Sequence, residues 1–148
     1  MRVQDVMTQA VESIQAKATI WMAARIMGDA DIGALPVLSD EKLVGIVTDR
    51  DIAVRAVAAG LSNDAPVDDV MSEDVTTCSP NDDLEDVLHI MSAQQVRRLP
   101  VCNERGRLVG MISLGDAARQ DPNKREIGEA LGDICEPSRL HCQVPAFA

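Results

Sequence analysis

The chain has 148 residues, enough for one domain or for two small units sharing a core, and its 46% hydrophobic content is that of a folded globule rather than a disordered tail. Twenty-four acids against fourteen Lys and Arg give a net charge of -10, which repels nucleic acid and anionic lipid, and Trp21 and Phe147 alone supply no row of rings for bases to stack on. The start, MRVQDVMT, lacks the apolar run of a signal peptide, and IGALPVL is too short to span a membrane and contains Pro36; a soluble, cytoplasmic protein without nucleic-acid or membrane partners is expected.

Along the chain the dominant signal is a repeat. Asp5-Val6-Met7 recurs as Asp69-Val70-Met71, Met27 as Met91, and Leu35-Pro36-Val37 as Leu99-Pro100-Val101, at a constant offset of 64. The offset becomes 65 at Leu43 and Leu108, where SDEK is replaced by the longer NERGR. In the first copy Ile20, Ala23, Ala24 and Met27 fall on one helical face, after a poorly marked start in QAKAT. ALPVL and LVGIVT then read as two strands paired across a polar tip, and DRDIAVRAVAAG as a helix stopped by Gly60.

A short linker, NDAPVD, leads to the second copy. There Ser79, Pro80, Asp82 and Asp83 give a stronger start signal: a capping hydroxyl, a proline at the first helical position and acids at the positive end of the dipole. Leu84, Val87, Leu88 and Met91 form its apolar helical face, and RLPVC and LVGMIS its hairpin. Beyond the repeat, Ile127, Ala130, Leu131 and Ile134 predict one more helix, ended by Pro137. The fold class is therefore α+β: two strand-helix-strand-strand-helix repeats, each marginal alone and expected to pack together with pseudo-two-fold symmetry, plus a helical extension. The boundaries are residues 1–62, 63–120 and 121–148.

Cys78, Cys102, Cys135 and Cys142 show no C-x-x-C spacing, so free thiols are the expectation. His141 beside Cys142 has no second matched pair, and His89 sits in a helical pattern as an ordinary histidine, so no metal is expected.

The chemistry concentrates in LVGIVTDRDIA (43–53) and LVGMISLGDAA (108–118). Both carry glycine, two apolar residues, a hydroxyl, two variable residues and an aspartate. The hydroxyl of Thr48 or Ser113 falls where strand becomes helix, where free backbone N–H groups favour a phosphate. Asp51 or Asp116, three residues on, has two oxygens able to accept from two adjacent hydroxyls such as those of a ribose. The same spacing is that of an ordinary capping box; its recurrence in register strengthens the ligand reading.

With the Asp-Val-Met starts and the Leu-Pro-Val strands, these motifs resemble the CBS domain, named for cystathionine β-synthase, over about residues 3–118. The tandem pair looks like a Bateman module. That resemblance implies an adenosine-containing regulatory ligand, AMP first and ADP, ATP, NAD or S-adenosylmethionine as alternatives, in clefts between the repeats. It places Asp51 and Asp116 on ribose hydroxyls, and Thr48 with Arg50, and Ser113 with Gly115, on the phosphate side. Aliphatic side chains would hold the base: Val11, Ala34, Leu35 and Ile46 in one site, Val75, Leu99 and Met111 in the other, positions that plain core packing would also explain. In the family the position of Arg98 often holds a cation on phosphate, and here Gly33-Ala34 precede the first Leu-Pro where Arg97-Arg98 precede the second, so the second site is expected to bind the phosphorylated end more tightly.

No nucleophile-base constellation or Walker loop is written in the chain, so it is expected not to be an enzyme. The expectation is a sensor of energy state or stress that acts in trans on an unknown protein target. A structural or interaction module that binds no nucleotide is the alternative. The resemblance also implies a homodimer built through helices. Trp21, off the apolar face of its helix, is a candidate contact, and the extension could cover that surface, close a Cys135–Cys142 disulfide, or remain loose.

Overall fold

The computed structural model describes residues 1–136; Pro137, His141, Cys142 and Phe147, with the readings that fall on them, lie outside the described residues. In chain order the elements are α1 (Val3–Val6), β1 (Ile14–Gln15), α2 (Ile20–Ala30), β2 (Ala34–Ser39), β3 (Lys42–Thr48), α3 (Asp49–Asp51), α4 (Leu84–Gln94), β4 (Arg98–Cys102), β5 (Leu108–Ser113), α5 (Leu114–Gln120) and α6 (Lys124–Ile134). This is the α+β repeat expected from the sequence, with α2 and α4 offset by 64 at both ends.

The elements form two compact units whose membership crosses the repeats. One is Ala10–Thr76 with Glu104–Leu108; the other is Met1–Gln9, Thr77–Asn103 and the chain from Val109. The Asp-Val-Met segment of each copy is thus grouped with the hairpin of the other. Apolar burial accounts for this: Val67 and Val70 enter the core of Leu35, Val37 and Val47, whereas Val3 and Val6 enter that of Leu99, Val101 and Ile112.

In the first unit β1 runs parallel to β2, and β2 pairs antiparallel with β3 with Ala34 opposite Thr48 and Pro36 opposite Ile46. Being central, β2 is buried along Ala34–Val37. At the outer edge of β3, Ile46 exchanges backbone hydrogen bonds of 3.0 and 2.9 Å with Ser72. Gly45 permits that approach: a Cβ there would lie 2.6 Å from Met71 Sδ and 2.7 Å from the Ser72 carbonyl. After α3 the chain widens into i to i-5 bonding, a π turn over Ile52–Val57. It closes as expected at Gly60, whose φ is +74°, with Leu61 donating to Ala56 and Gly60 to Val57 in a Schellman arrangement.

The second unit repeats the plan. Cys78 bridges Val101 in parallel where β1 would be, β4 pairs with β5, and Thr8 exchanges 2.8 and 2.9 Å bonds with Met111. Gly110 is crowded by Met7 and Thr8 as Gly45 is by Met71 and Ser72. The extension is helical as expected: α6 packs on α4 and α5 through Ile127, Ala130 and Ile134, while Leu131 faces outward.

Two local readings change. Ala24 is exposed although its spacing puts it on the apolar face, because nothing in its unit covers that edge of α2, whereas its counterpart Leu88 lies in the core cluster with α6. The helix starts are also reversed in quality. Thr19 caps α2, accepting from Met22 at 3.1 Å. Ser79 instead closes a turn in which its own N–H donates to Asp82 at 2.8 Å, and α4 begins only at Leu84, behind Asp83, which makes no side-chain cap bond. Pro80 fits that turn as well as it fits a helix start.

Candidate functional site

The hydroxyl-x-x-aspartate motif folds the same way in both copies. Each strand ends on the hydroxyl residue in extended conformation, and the next backbone N–H is tied across the hairpin: Asp49 to the Gly33 carbonyl at 3.0 Å, Leu114 to that of Arg97 at 2.8 Å. Thr48 N–H donates to Asp51 Oδ2 at 2.9 Å, and Asp51 N–H donates to Thr48 Oγ1 at 3.1 Å. In the second copy Ser113 N–H and Oγ donate to Asp116 Oδ2 at 3.0 and 2.6 Å, and Asp116 N–H donates back to Ser113 Oγ at 3.0 Å. The capping box is therefore complete twice, each time using one carboxylate oxygen and leaving Oδ1 for another partner.

That partner differs. Arg55 Nε stands 3.7 Å from Asp51 Oδ1, and its Nη1 is held by the Val70 and Met71 carbonyls at 3.3 Å each. Arg119 forms an ion pair and hydrogen bond directly with Asp116 Oδ1, although its own side chain is 71% exposed. Asp116 is the one buried charged residue among the described residues. The motif spacing identified both aspartates but not these arginines. Comparing the copies would have singled them out, since Val54 of the first aligns with Arg119 of the second, and Arg55 with Gln120.

Around the first aspartate, Ala34 is buried opposite Thr48, Val11 and Ile46 are half-buried, and Arg50 is exposed beside Asp49. Leu35 has no accessible surface and belongs to the core. The Asp49 carboxylate lies over Gly33, 3.0 Å from where a Cβ would be. Around the second, Leu99 is buried in its core, Met111 is half-buried and Gly115 is exposed. Arg98 opens β4 exposed and without an ion pair among the described residues. Val75 is half-buried in the segment grouped with the first unit, not with Asp116. At the motif, the first copy sets Arg50 and Arg55 beside Asp49 and Asp51, whereas the second has Arg119 on Asp116 and Arg98 at the start of β4.

Among known families, the CBS domain matches this chain twice, over residues 3–57 and 67–122. The chain belongs to the CBS-domain family. The CBS domain-containing protein YhcV of Bacillus subtilis is 39% identical over 132 residues, 89% of this chain and 94% of that protein. The crystal structure of Hypoxic Response Protein I with two coordinated zinc ions has a TM-score of 0.76 at 35% identity, covering 82% of this chain and all of that one. The CBS domain pair of protein MJ0100, in complex with 5′-methylthioadenosine and S-adenosyl-L-methionine, gives 0.74 at 28% identity over 84% and 98% of the two chains. The CBS matches leave out the linker before Val67 and helix α6. Among the described residues no three His, Cys, Asp or Glu side chains converge on a metal position, and no helix is long and apolar enough to cross a membrane.

Proposed function

We propose that this CBS-domain protein is a regulatory module, not an enzyme, that binds an adenosine-containing nucleotide at its hydroxyl-x-x-aspartate motifs and passes occupancy to a protein target in trans. The observation that supports it best is the twofold occurrence of a preorganised carboxylate, Asp51 and Asp116, with one oxygen fixed by the cap and the other directed to a polar partner. The likeness to the MJ0100 domain pair, whose structure holds two adenosyl compounds, gives the ligand class. In this reading Asp51 and Asp116 accept the ribose hydroxyls, and Thr48 with Arg50, and Ser113 with Gly115 and Arg98, line the phosphate side. Val11, Ala34 and Ile46, or Met111, support the base, with Leu35 and Leu99 behind them. AMP is the first candidate, ahead of ADP, ATP, NAD and S-adenosylmethionine, which places the protein in the cytoplasm as a sensor of energy state or stress. The protein acts as a homodimer.

The test is calorimetric titration of nucleotide-stripped protein with each ligand, repeated on Asp51→Asn and Asp116→Asn. Asparagine keeps a cap acceptor and removes the charge, so it separates binding from folding better than alanine. Charge-assisted hydrogen bonds contribute roughly 1.5 to 3 kcal/mol each, so affinity at the affected site should fall about tenfold or more. Well-folded protein that binds none of these ligands would establish the non-nucleotide interaction module instead.

A further inference from the structure

The two copies place their cations differently, and the placement bears on ligand choice. In the first, Arg50 stands immediately before Asp51, and the position one turn on is Val54, which is half exposed. In the second, the position before Asp116 is Gly115 and the position one turn on is Arg119. Residues four apart on an α-helix cover the same patch of surface, so Gly115 and Arg119 share one on α5, whereas in the first copy Arg50 and the π-turn residue Arg55 flank Asp51. Arg119 Nη1 passes beside Gly115, 3.8 Å from where a Cβ would stand, an ordinary contact distance, and Ser113 Oγ lies at 3.6 Å from the same point. From there the Arg119 guanidinium reaches the Asp116 carboxylate. Arg55 in the first copy is anchored on two carbonyls, whereas the Arg119 side chain is mostly exposed and held by Asp116.

We propose that Arg119 is a specificity-determining residue of the second copy's site, exchanging the Asp116 carboxylate for the phosphate of a nucleotide and so selecting phosphorylated adenosine over uncharged adenosyl compounds. The inference rests on the nucleotide reading above and deepens it. A ribose that takes Asp116 Oδ1 must displace Arg119. If the ligand carries a phosphate, the guanidinium moves to another anion lying beside Gly115 and keeps a charge-assisted, bidentate partner. If the ligand ends in a neutral thioether, the ion pair is broken and nothing replaces it. Arg98 adds a second cation to the same mouth, but it is not tied to the ribose acceptor, so only Arg119 couples the two ends of the ligand.

The experiment compares AMP with 5′-methylthioadenosine by calorimetry, in an Asp51→Asn background so that the second copy is read. Arg119→Ala should weaken AMP at least fivefold and leave 5′-methylthioadenosine unchanged or tighter, lowering the ratio of the two affinities. Arg119→Lys should restore part of the preference. Arg119→Ala combined with Gly115→Arg, which returns the cation to the first copy's position, should restore it as well, a result that mere loss of a surface ion pair does not give. An equal change for both ligands, an unchanged AMP affinity, or no binding in the Asp51→Asn background while the unmodified protein binds, overturns the role of Arg119 and leaves the nucleotide reading standing. Failure of the unmodified protein to bind either ligand overturns both.

Discussion

Cys78 shows how one side chain's chemistry follows from where the backbone is pinned. Its N–H donates to the Pro100 carbonyl at 3.1 Å and its carbonyl accepts from Cys102 at 2.9 Å, so the residue is held where the second copy's first strand would run, and its thiol points into the core. Burial there, with Asp82 and Cys102 as lesser contributors, pushes the thiol up from 9.0 to about 12. Burial pushes Cys102 upward too. Because the folded value lies above the unfolded one, the protonated thiol's contribution to stability is complete below about pH 9 and is lost as pH rises toward 12. The thiolate is the nucleophile, so iodoacetamide at pH 8 should leave Cys78 unmodified in the folded protein and label it fully in denaturant. Peptide mapping by mass spectrometry checks this, and equal labelling in both states would show the thiol to be accessible. Nothing in the sequence around Cys78 marks it as different from Cys102. Asp51 and Asp116, by contrast, were legible because a short-range motif fixes a carboxylate against its own backbone three residues away, whereas the Arg119 contact is a side-chain pairing outside that motif.

At the scale of elements, the hairpins, the apolar helix faces and the extra helix were readable because each is set by local periodicity or turn chemistry. What periodicity does not carry is which copy a short segment joins. Val6 and Val70 look alike, and their exchange between hairpins emerges only from the contacts at Gly45 and Gly110. The start of α4 was misplaced for a related reason: Ser79 and Asp82 satisfy each other in a turn before the helix begins. The exchange makes a measurable demand. Gly45→Ala or Gly110→Ala puts a methyl within 2.9 Å of a carbonyl oxygen and of a methionine sulfur, so the segment must shift or the strand must bend. Overpacking of this kind costs typically 1–3 kcal/mol, to be read as a lower denaturation midpoint at constant slope. Gly28→Ala is the contrast, since a Cβ there meets nothing within 4 Å in the exposed interior of α2, and alanine should stabilise that helix by up to about 1 kcal/mol. Equal effects at the three glycines would show that close approach is not what selects glycine at 45 and 110.

For the whole molecule, the asymmetry of the two CBS repeats bears on where the proposed homodimer would be joined. In the second unit α4 and α5 are covered by α6, and the groove beside it presents Glu85, Glu126, Glu129 and Asp133. The first unit has no such helix. Trp21 and Met22 on α2, and Val54 and Val57 on the π turn beside it, stay exposed, with Arg25 stacked 5.5 Å from the Trp21 ring centroid. Their counterparts in the second copy, Glu85, Asp86, Arg119 and Pro122, include three charged residues, so the apolar character belongs to the first unit and not to the repeat. Large apolar side chains left exposed on two neighbouring elements of an acidic protein are the surface a self-association site needs, and tryptophan is the residue type that most often dominates such contacts. The proposed homodimer should therefore use this face. Trp21→Glu, which gives the first copy the residue of the second, should weaken the dimer at least tenfold by sedimentation velocity and change the unfolding midpoint of the monomer far less than a core substitution, because Trp21 is half exposed and lies outside the buried core. A dimer of unaltered affinity would move the interface elsewhere. A monomeric unmodified protein would leave the apolar face to the regulated target, and the same substitution would then be read out on that target's activity.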